Sequence, residues 1–160
     1  MTEEAQLKKP RFEPVHVELD WYDGPQAGLA DVDGVVHYFH TVHYAVGDSE
    51  PDDDYYVWPA SDVAVAWERE QWAIFVDWNA RYEAGTTEVE SHPGHGGVDS
   101  RYDELTELLA PCRMIPDGAR RLTAEWQWLS GSTRYHIEGV DYRVNWRESQ
   151  GSASPTSTSR

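Results

Sequence analysis

The amino-acid sequence predicts the α+β class: an antiparallel β-sheet formed by N-terminal and C-terminal strands, with two central helices packed on one face. Two patterns carry this prediction. Near both ends of the chain, apolar and polar residues alternate, which is typical of half-buried strands. In the middle of the chain, apolar residues recur about every 3.6 residues, which is typical of helices.

The chain has 160 residues, a length that fits one domain. Its 8 Trp and 9 Tyr favour a well-filled core, because a large aromatic side chain buries on the order of 150–250 Å². The first residues are polar, and the last ones are rich in Ser, Gly, Thr and Pro. We therefore predict a flexible N-terminus over 1–12, a single α+β domain over 13–148 and a disordered tail over 149–160.

The N-terminal third of the chain predicts a series of short strands. Apolar residues occupy every second position from Val15 to Trp21, which places them on one face of a strand. Asp33 and Gly34 form a two-residue hairpin signal, because both residues tolerate positive φ. The predicted strands of this third are 15–22, 28–32, 35–46 and 55–58.

The middle of the chain predicts two helices. Pro59 and Ser61 introduce the first helix, which continues to about Glu83 and ends at Gly85. Its apolar residues lie on two opposite sides, which predicts a helix that is buried on both. A shorter helix over 100–109 follows, and the residues at its start resemble a capping box.

The C-terminal strands carry further aromatic residues. Leu122, Ala124, Trp126 and Trp128 fall on one face of a predicted strand, so we expect both Trp side chains in the core. In the return strand, apolar residues occupy odd positions first and even positions later. This change falls at Gly139 and predicts a β-bulge there.

The formal net charge is −16, and it is unevenly distributed. No Lys or Arg occurs between Arg11 and Arg69. This balance argues against direct binding to nucleic acid, which requires clustered Lys and Arg. An acidic chain is explained either by the need for solubility or by a basic protein partner that opposite charge attracts.

Several features bear on the cellular location. The N-terminal residues lack the apolar segment of a secretory signal, and no apolar run approaches the ~20 residues of a membrane span. The single cysteine, Cys112, excludes an intrachain disulfide and any zinc site with several Cys ligands. These observations predict a cytoplasmic protein that does not associate with a membrane.

Histidines are the first candidates for a metal or catalytic site. His37 and His43 face alike on the predicted strand but lie about 20 Å apart at ~3.3 Å per residue, and His40 faces the opposite way. One metal ion with bonds near ~2 Å cannot span that distance. His92 and His95 share a glycine-rich turn, but no third His or Cys is locally available. We therefore predict no metal, no cofactor and no catalytic residue.

The segment Asp52, Asp53, Asp54, Tyr55 and Tyr56 is the predicted partner-binding surface. Three carboxylates beside two Tyr rings combine charge that attracts a basic partner with aromatic groups that anchor it. The alternative interpretation is a solvated loop that leads into an edge strand.

The stretch WYDGPQAGLAD at 21–31 is followed by Gly34 and by HYF at 37–39. This pattern resembles the opening of a family of small uncharacterised bacterial proteins. The resemblance continues through the Trp-rich predicted helix to 102–105 and covers most of 15–110. It implies one recurring domain type and transfers neither an activity nor catalytic residues.

Three classes of function are compatible with the sequence. The first is a non-enzymatic acidic interaction protein that binds a basic protein partner, as an immunity protein or an inhibitor does. The second is an enzyme with a nonstandard acid-base site built from His37 or His40 and nearby aspartates. The third is a small-ligand-binding module that uses the abundant aromatic residues. Because no P-loop, dinucleotide fingerprint or metalloprotease motif occurs, we favour the first class over an enzyme.

Overall fold

The computed structural model describes residues 11–42, 53–130 and 133–149. Its strands are β1 (Glu13–Trp21), β2 (Pro25–Val32), β3 (Val35–Thr41), β4 (Asp54–Pro59), β5 (Arg120–Trp128), β6 (Tyr135–His136), β7 (Gly139–Val140) and β8 (Tyr142–Glu148). Six of them form a closed antiparallel barrel in the order β1-β2-β3-β4-β5-β8, while β6 and β7 form a separate hairpin. The predicted hairpin at Asp33 and Gly34 is confirmed, with φ of 53° and 79° at the two positions.

The connection from β4 to β5 contains the helices α1 (Asp62–Glu83) and α2 (Ser100–Leu109), with short 3-10 turns at Val89–Ser91 and Pro93–His95. Helix α1 begins after Ser61, whose hydroxyl accepts a hydrogen bond from the backbone N–H of Ala64. Helix α2 begins after Asp99, whose carboxylate accepts one from the backbone N–H of Tyr102. Both side chains satisfy donors that the first turn of a helix leaves unpaired.

Aromatic side chains fill the interior of the barrel. Phe39 pairs with Val57 across β3 and β4, and Tyr55 pairs with Leu122 across β4 and β5. The ring of Phe39 lies 5.7 Å from that of Tyr55 and 5.8 Å from that of Trp126, which is the usual separation of interacting aromatic rings. These side chains share the inward face, as in other small barrels whose interior is packed with side chains.

Helix α1 lies against the outer surface of the barrel. Tyr38 faces outward from β3 and donates a hydrogen bond to Glu68 of α1 at 2.9 Å. The indole of Trp72 in α1 donates to the backbone carbonyl of His136 at 2.9 Å, and α2 packs against α1. The α+β class is therefore confirmed. The predicted placement of both helices on one face of the sheet is not confirmed, because the sheet closes into a barrel.

The C-terminal strands differ from the prediction in two respects. The predicted return strand is present as β8, which pairs with β5, but the residues before it form the β6–β7 hairpin, and Gly139 begins β7 instead of forming a β-bulge within one strand. Gly139 has a φ of 149°, and a Cβ atom there would collide with the carbonyl oxygen of Val15. Trp126 contacts the interior rings, but Trp128 is 52% exposed, because it pairs with Tyr142 where β5 reaches the end of the barrel. The expectation that Trp128 is a core residue is wrong.

The two predicted flexible ends, 1–12 and 149–160, lie mostly outside the described residues. Within them, the backbone N–H of Arg11 donates to Asn145 at 3.1 Å. Ser149 is buried and donates to Asp54 at 3.0 Å. Across the described ranges, no helix combines the length and the apolar character needed to cross a membrane.

Candidate functional site

Much of the predicted partner-binding segment is buried. Asp52 lies outside the described residues, Asp53 is exposed and Tyr56 is half-buried. Asp54 and Tyr55 are only 9% and 4% exposed. A buried side chain cannot meet a partner while the barrel is intact, so the accessible described part of this segment is Asp53 and Tyr56. Partner binding at this segment stays a prediction.

Asp54 joins β4 to β5 and to the end of β8. Its carboxylate accepts hydrogen bonds from Arg121 at 3.0 Å, Thr123 at 2.7 Å and Ser149 at 3.0 Å. Burial by itself raises the pKa of Asp54, but these hydrogen bonds and the charge of Arg121 outweigh it and lower the pKa below its ordinary value. The contacts of Asp54 are those of a structural carboxylate.

The histidines singled out in the sequence occupy separate positions. His37 and His40 lie on opposite faces of β3, and each donates from Nδ1 to a nearby backbone carbonyl. His43 lies outside the described residues. Within 11–42, 53–130 and 133–149, no group of three or more His, Cys, Asp or Glu side chains is placed to hold a metal ion.

A His–Asp pair does occur, at His16 and Asp31 on the barrel wall near α1. Nε2 of His16 lies 2.8 Å from Oδ1 of Asp31, and Nη2 of Arg69 lies 3.3 Å from Nδ1 of His16. Arg can only donate, so Nδ1 accepts and the ring proton is on Nε2, toward Asp31. With both ring nitrogens engaged, His16 has no lone pair available for general-base catalysis. The pair joins β1 to β2, and the hydrogen bond from Arg69 links it to α1.

A cavity of about 270 Å³ lies between β1 and α1, and we call it the α1–β1 cavity. Ligand sites in proteins are typically concave and mostly apolar, with a few polar groups that converge on the ligand. This cavity is concave but more polar than a typical site, because carboxylates, an amide and a guanidinium line it together with aromatic rings. Its side walls include Glu18, Asp20, Trp21, Trp72, Phe75 and His92.

A buried ion pair forms the base of the α1–β1 cavity. Glu68, with a side chain only 1% exposed, accepts from Nε and from Nη2 of Arg113, both at 2.8 Å. Two parallel hydrogen bonds of this length are the strong arrangement for an Arg–carboxylate pair. The charges of Glu68 and Arg113 compensate each other, so the base adds polar groups to the cavity without adding net charge.

Gln71 extends this network to α2. Its Oε1 accepts from Arg113 at 2.7 Å, and its Nε2 donates to the backbone carbonyl of Tyr102 at 2.9 Å and to the hydroxyl of Thr106 at 2.8 Å. These hydrogen bonds cross-link the base of the cavity to both helices and make it rigid.

Tyr102 also lines the cavity. Burial is the main cause of its raised pKa, which keeps its hydroxyl protonated.

Aromatic rings form the walls. Trp72 and Phe75 lie 5.4 Å apart on successive turns of α1, and both contact the ring of Tyr135. Trp21 lines the opposite side, on β1. Such faces bind apolar groups, and they also attract cations electrostatically.

His92 lines the cavity as a neutral hydrogen-bond donor. Burial, assisted by the nearby charge of His95, lowers the pKa of His92 below its ordinary value, so the ring is neutral at pH 7. Its Nδ1 accepts from the backbone N–H of Gly94 at 2.8 Å, which leaves the ring proton on Nε2. The ring lies 4.5 Å from that of Trp78, which fixes its orientation.

The ionisable groups give the α1–β1 cavity a negative lining. Three carboxylates, those of Glu18, Asp20 and Glu68, line the cavity with the guanidinium of Arg113, while His92 is neutral. Glu18 is also paired with the guanidinium of Arg134 beside the cavity, so the carboxylates exceed the guanidinium groups by one. A cavity of this kind attracts a cation and disfavours an anion.

A larger groove of about 520 Å³ runs along the other side of α1. Its carboxylates at Glu70 and Asp77 are exposed and paired with Arg101 and Arg81. No buried polar network comparable to that of Glu68 lies among its described lining residues. The α1–β1 cavity is therefore the stronger candidate for a binding site.

Sequence reasoning did not single out Glu68, Gln71 or Arg113. Charged and polar residues on a helix are usually solvated, and Glu, Gln and Arg occur throughout ordinary surfaces. The signal that was available is spacing. Glu68, Gln71 and Trp72 are three and four residues apart, so they share one helix face with an apolar residue that was expected to be buried.

Comparisons with protein-family models, with curated proteins and with solved structures found no match for this chain.

Proposed function

We propose that this protein binds a small organic cation with an apolar ring in the α1–β1 cavity. The observation that supports the proposal is the lining itself, in which carboxylates outnumber guanidinium groups and stand beside Trp21, Trp72 and Phe75. An ammonium group would be attracted to the carboxylates and to the faces of the rings. The apolar body of the ligand would displace water from the aromatic wall.

The base of the cavity supports the affinity for a ligand, because its polar groups are already held in place. Glu68, Gln71 and Arg113 are held by one another, so a ligand does not need to order them. Pre-organised groups cost little conformational entropy on binding. The Nε2–H of His92 adds a neutral donor that can bind a carbonyl or hydroxyl oxygen of the ligand.

Phenethylammonium is a suitable probe, because it joins one ring to one cationic group, and 2-phenylethanol is its neutral counterpart. Titration calorimetry on the full chain should give saturable binding of phenethylammonium and much weaker binding of 2-phenylethanol. Asp20→Asn should weaken phenethylammonium about two- to fivefold, the range for one partly solvated charge. It should leave 2-phenylethanol unchanged.

Asp117→Asn is the matched control, because it removes the same charge from an exposed loop outside the cavity lining. If Asp117→Asn weakens the probe as much as Asp20→Asn does, the effect is one of total charge and not of the cavity. Equal binding of the cation and the alcohol would remove the charge argument. The absence of saturable binding for both compounds would reject the site for this ligand class.

The second candidate function is the binding of a basic protein partner. This chain would then act as an immunity-type or inhibitor-like protein in the cytoplasm. This function is supported by the net charge of −16 and by the absence of Lys and Arg from 12–68. Among the described residues, Asp53 and Tyr56 are the accessible members of the surface predicted at 52–56. Opposite charge should act mainly on the association rate.

The test of this second candidate is capture of a partner from the native host, followed by binding kinetics. Association should slow as salt rises, because the Debye length shrinks from about 10 Å at 0.1 M to about 3 Å at 1 M. Asp53→Asn should slow association, and Tyr56→Ala should speed dissociation. An acidic partner, or association rates that do not respond to salt, would exclude the steering mechanism.

A further inference from the structure

Arg134 stands over an aromatic ring beside the α1–β1 cavity. Its Cζ lies 4.3 Å from the ring centroid of Trp21 and 5.1 Å from that of Tyr135, within the range of cation–π attraction. Its Nη2 lies 3.2 Å from Oε1 of Glu18. Glu18, Trp21 and Tyr135 therefore surround a guanidinium with one carboxylate and two aromatic faces, and we call these three residues the cation cage.

The carboxylate of the cation cage is held independently of Arg134. The hydroxyls of Tyr135 and Tyr142 donate to Glu18 at 3.0 Å and 2.8 Å, and the Glu18 side chain is only 8% exposed. The cage would keep its acceptor in position if Arg134 moved away. A recognition site is built in this way, with its groups oriented before the ligand arrives.

Trp21 is also supported from behind. Its ring lies 5.6 Å from that of Trp128 and 6.0 Å from that of Tyr142. These contacts fix the ring that Arg134 covers. They also explain what the half-exposed Trp128 does, since it braces Trp21 at the end of the barrel.

Arg134 fits its site less well than Arg113 fits its own. Arg113 makes two hydrogen bonds of 2.8 Å to Glu68. Arg134 reaches Glu18 at 3.2 Å, and its buried Nε has no hydrogen-bond partner within the described ranges. A buried donor without a partner is costly. A cation that satisfied all its donors in the cage would therefore have an advantage over Arg134.

The cation cage adjoins the α1–β1 cavity. Glu18 and Trp21 line both. The ring of Tyr135 lies 5.7 Å from that of Trp72 and 5.0 Å from that of Phe75, which are cavity walls. A ligand whose apolar body lay along α1 could thus place its charged end in the cage.

We propose that the cation cage is a binding subsite for the guanidinium or ammonium group of a ligand, and that Arg134 occupies this subsite until such a group displaces it. The inference rests on the proposed function, because it places the cationic end of the ligand within the α1–β1 region. It also adds regulation to that site. Since only chains with Arg134 displaced are competent, the measured affinity is lower than the intrinsic affinity of the cage.

Methylguanidinium is the probe for the cage, and methylurea is its neutral isostere. Titration calorimetry should show that Arg134→Ala binds methylguanidinium saturably and at least tenfold more tightly than the wild-type chain does. Adding Glu18→Gln to Arg134→Ala should remove at least tenfold of that affinity, while methylurea should bind none of the chains saturably. Arg147→Ala is the control for lost positive charge, because Arg147 is exposed on β8, outside the cage; it should behave like the wild type.

The proposal is wrong if folded Arg134→Ala binds methylguanidinium no better than the wild type, or binds methylurea equally well. If Arg134→Ala does not fold, nuclear magnetic resonance on the wild-type chain provides an independent test of whether a ligand displaces Arg134. The ring current of Trp21 should shift the Arg134 side-chain signals, and excess methylguanidinium should return them to the values of a solvated Arg. Signals of Arg134 that do not respond would equally overturn the proposal.

The two proposals fail separately. If phenethylammonium binds the wild-type chain in an Asp20-dependent way but methylguanidinium does not bind Arg134→Ala, the cavity function stands and the cation cage is rejected as a subsite. If methylguanidinium binds Arg134→Ala but phenethylammonium binds no chain, the cage recognises cations and the ligand class proposed for the cavity is rejected.

Discussion

The carboxylate of Glu68 and the guanidinium of Arg113 meet through two hydrogen bonds of 2.8 Å, although the residues are 45 positions apart in the chain. Glu68 lies within α1, and Arg113 follows α2 in the connection to β5. Tyr38 of β3 donates to the same carboxylate. One buried charge thus ties together the barrel, the long helix and the connection that returns to the barrel.

Arg113→Met should destabilise the fold by about 3–5 kcal/mol, because it leaves the carboxylate of Glu68 buried without its countercharge. Urea denaturation followed by circular dichroism measures this loss. Combining Arg113→Met with Glu68→Leu should recover part of it, because no charge then remains to be desolvated. Arg101→Met is the control, since Arg101 pairs with the exposed Glu70 and should cost far less. Equal losses for Arg113→Met and Arg101→Met would show that the Glu68 pair is not buried as described.

Trp126→Ala should cost about 3 kcal/mol, since it opens a cavity among the rings of Phe39 and Tyr55 inside the barrel. Trp128→Ala should cost about 1 kcal/mol, the value of its contacts with Trp21 and Tyr142. Urea midpoints of the two variants make the comparison directly. A larger loss for Trp128→Ala than for Trp126→Ala would mean that the inward face of β5 has been assigned incorrectly.

Asp54→Asn should lower stability at pH 7 by about 1–3 kcal/mol, because charged hydrogen bonds to Arg121 and two hydroxyls are weakened. The pKa of Asp54 is lower in the folded chain than its unfolded value of about 3.9. Its stabilising contribution is therefore complete above that value and is lost as the pH falls through the lower, folded pKa. The difference between wild type and Asp54→Asn should accordingly be constant from pH 7 to pH 5 and shrink below pH 4. A difference that grew on acidification would contradict the sign of the shift.

Local structure was predictable wherever one short segment determines it. The hairpin at Asp33 and Gly34 follows from positive φ at both positions, and the start of α1 follows from the capping hydroxyl of Ser61. Both depend on residues that are close in the chain. The strand facing of Trp126 was predictable for the same reason, since alternation is a local property.

Closure of the barrel and assembly of the α1–β1 cavity were not predictable in this way. The alternation of apolar and polar residues shows which side chains share a face of a strand. It does not show which strands pair with each other, so it cannot distinguish an open sheet from a barrel. Trp128 illustrates the consequence, because its face was predicted but the end of the barrel was not. Glu68 and Arg113 are individually ordinary residues, and only the packing of α1 brings them together. The cation cage likewise brings together residues of β1 and β6, which no local pattern links.

The pairing of β1 with β8, which closes the barrel, has consequences for how the chain folds. Glu13 and Pro14 of β1 pair there with Val144 and Arg143 of β8, and Pro14 has no N–H to donate to the ladder. The two strands belong to opposite ends of the domain, so their contact carries a large entropic cost of loop closure and cannot form until β8 has been synthesised. Until then, one edge of β1 is available to pair with strands of other nascent chains, a recognised route to aggregation. Once folded, the barrel should open first along this line, so its amide hydrogens should exchange with solvent sooner than those between β2 and β3.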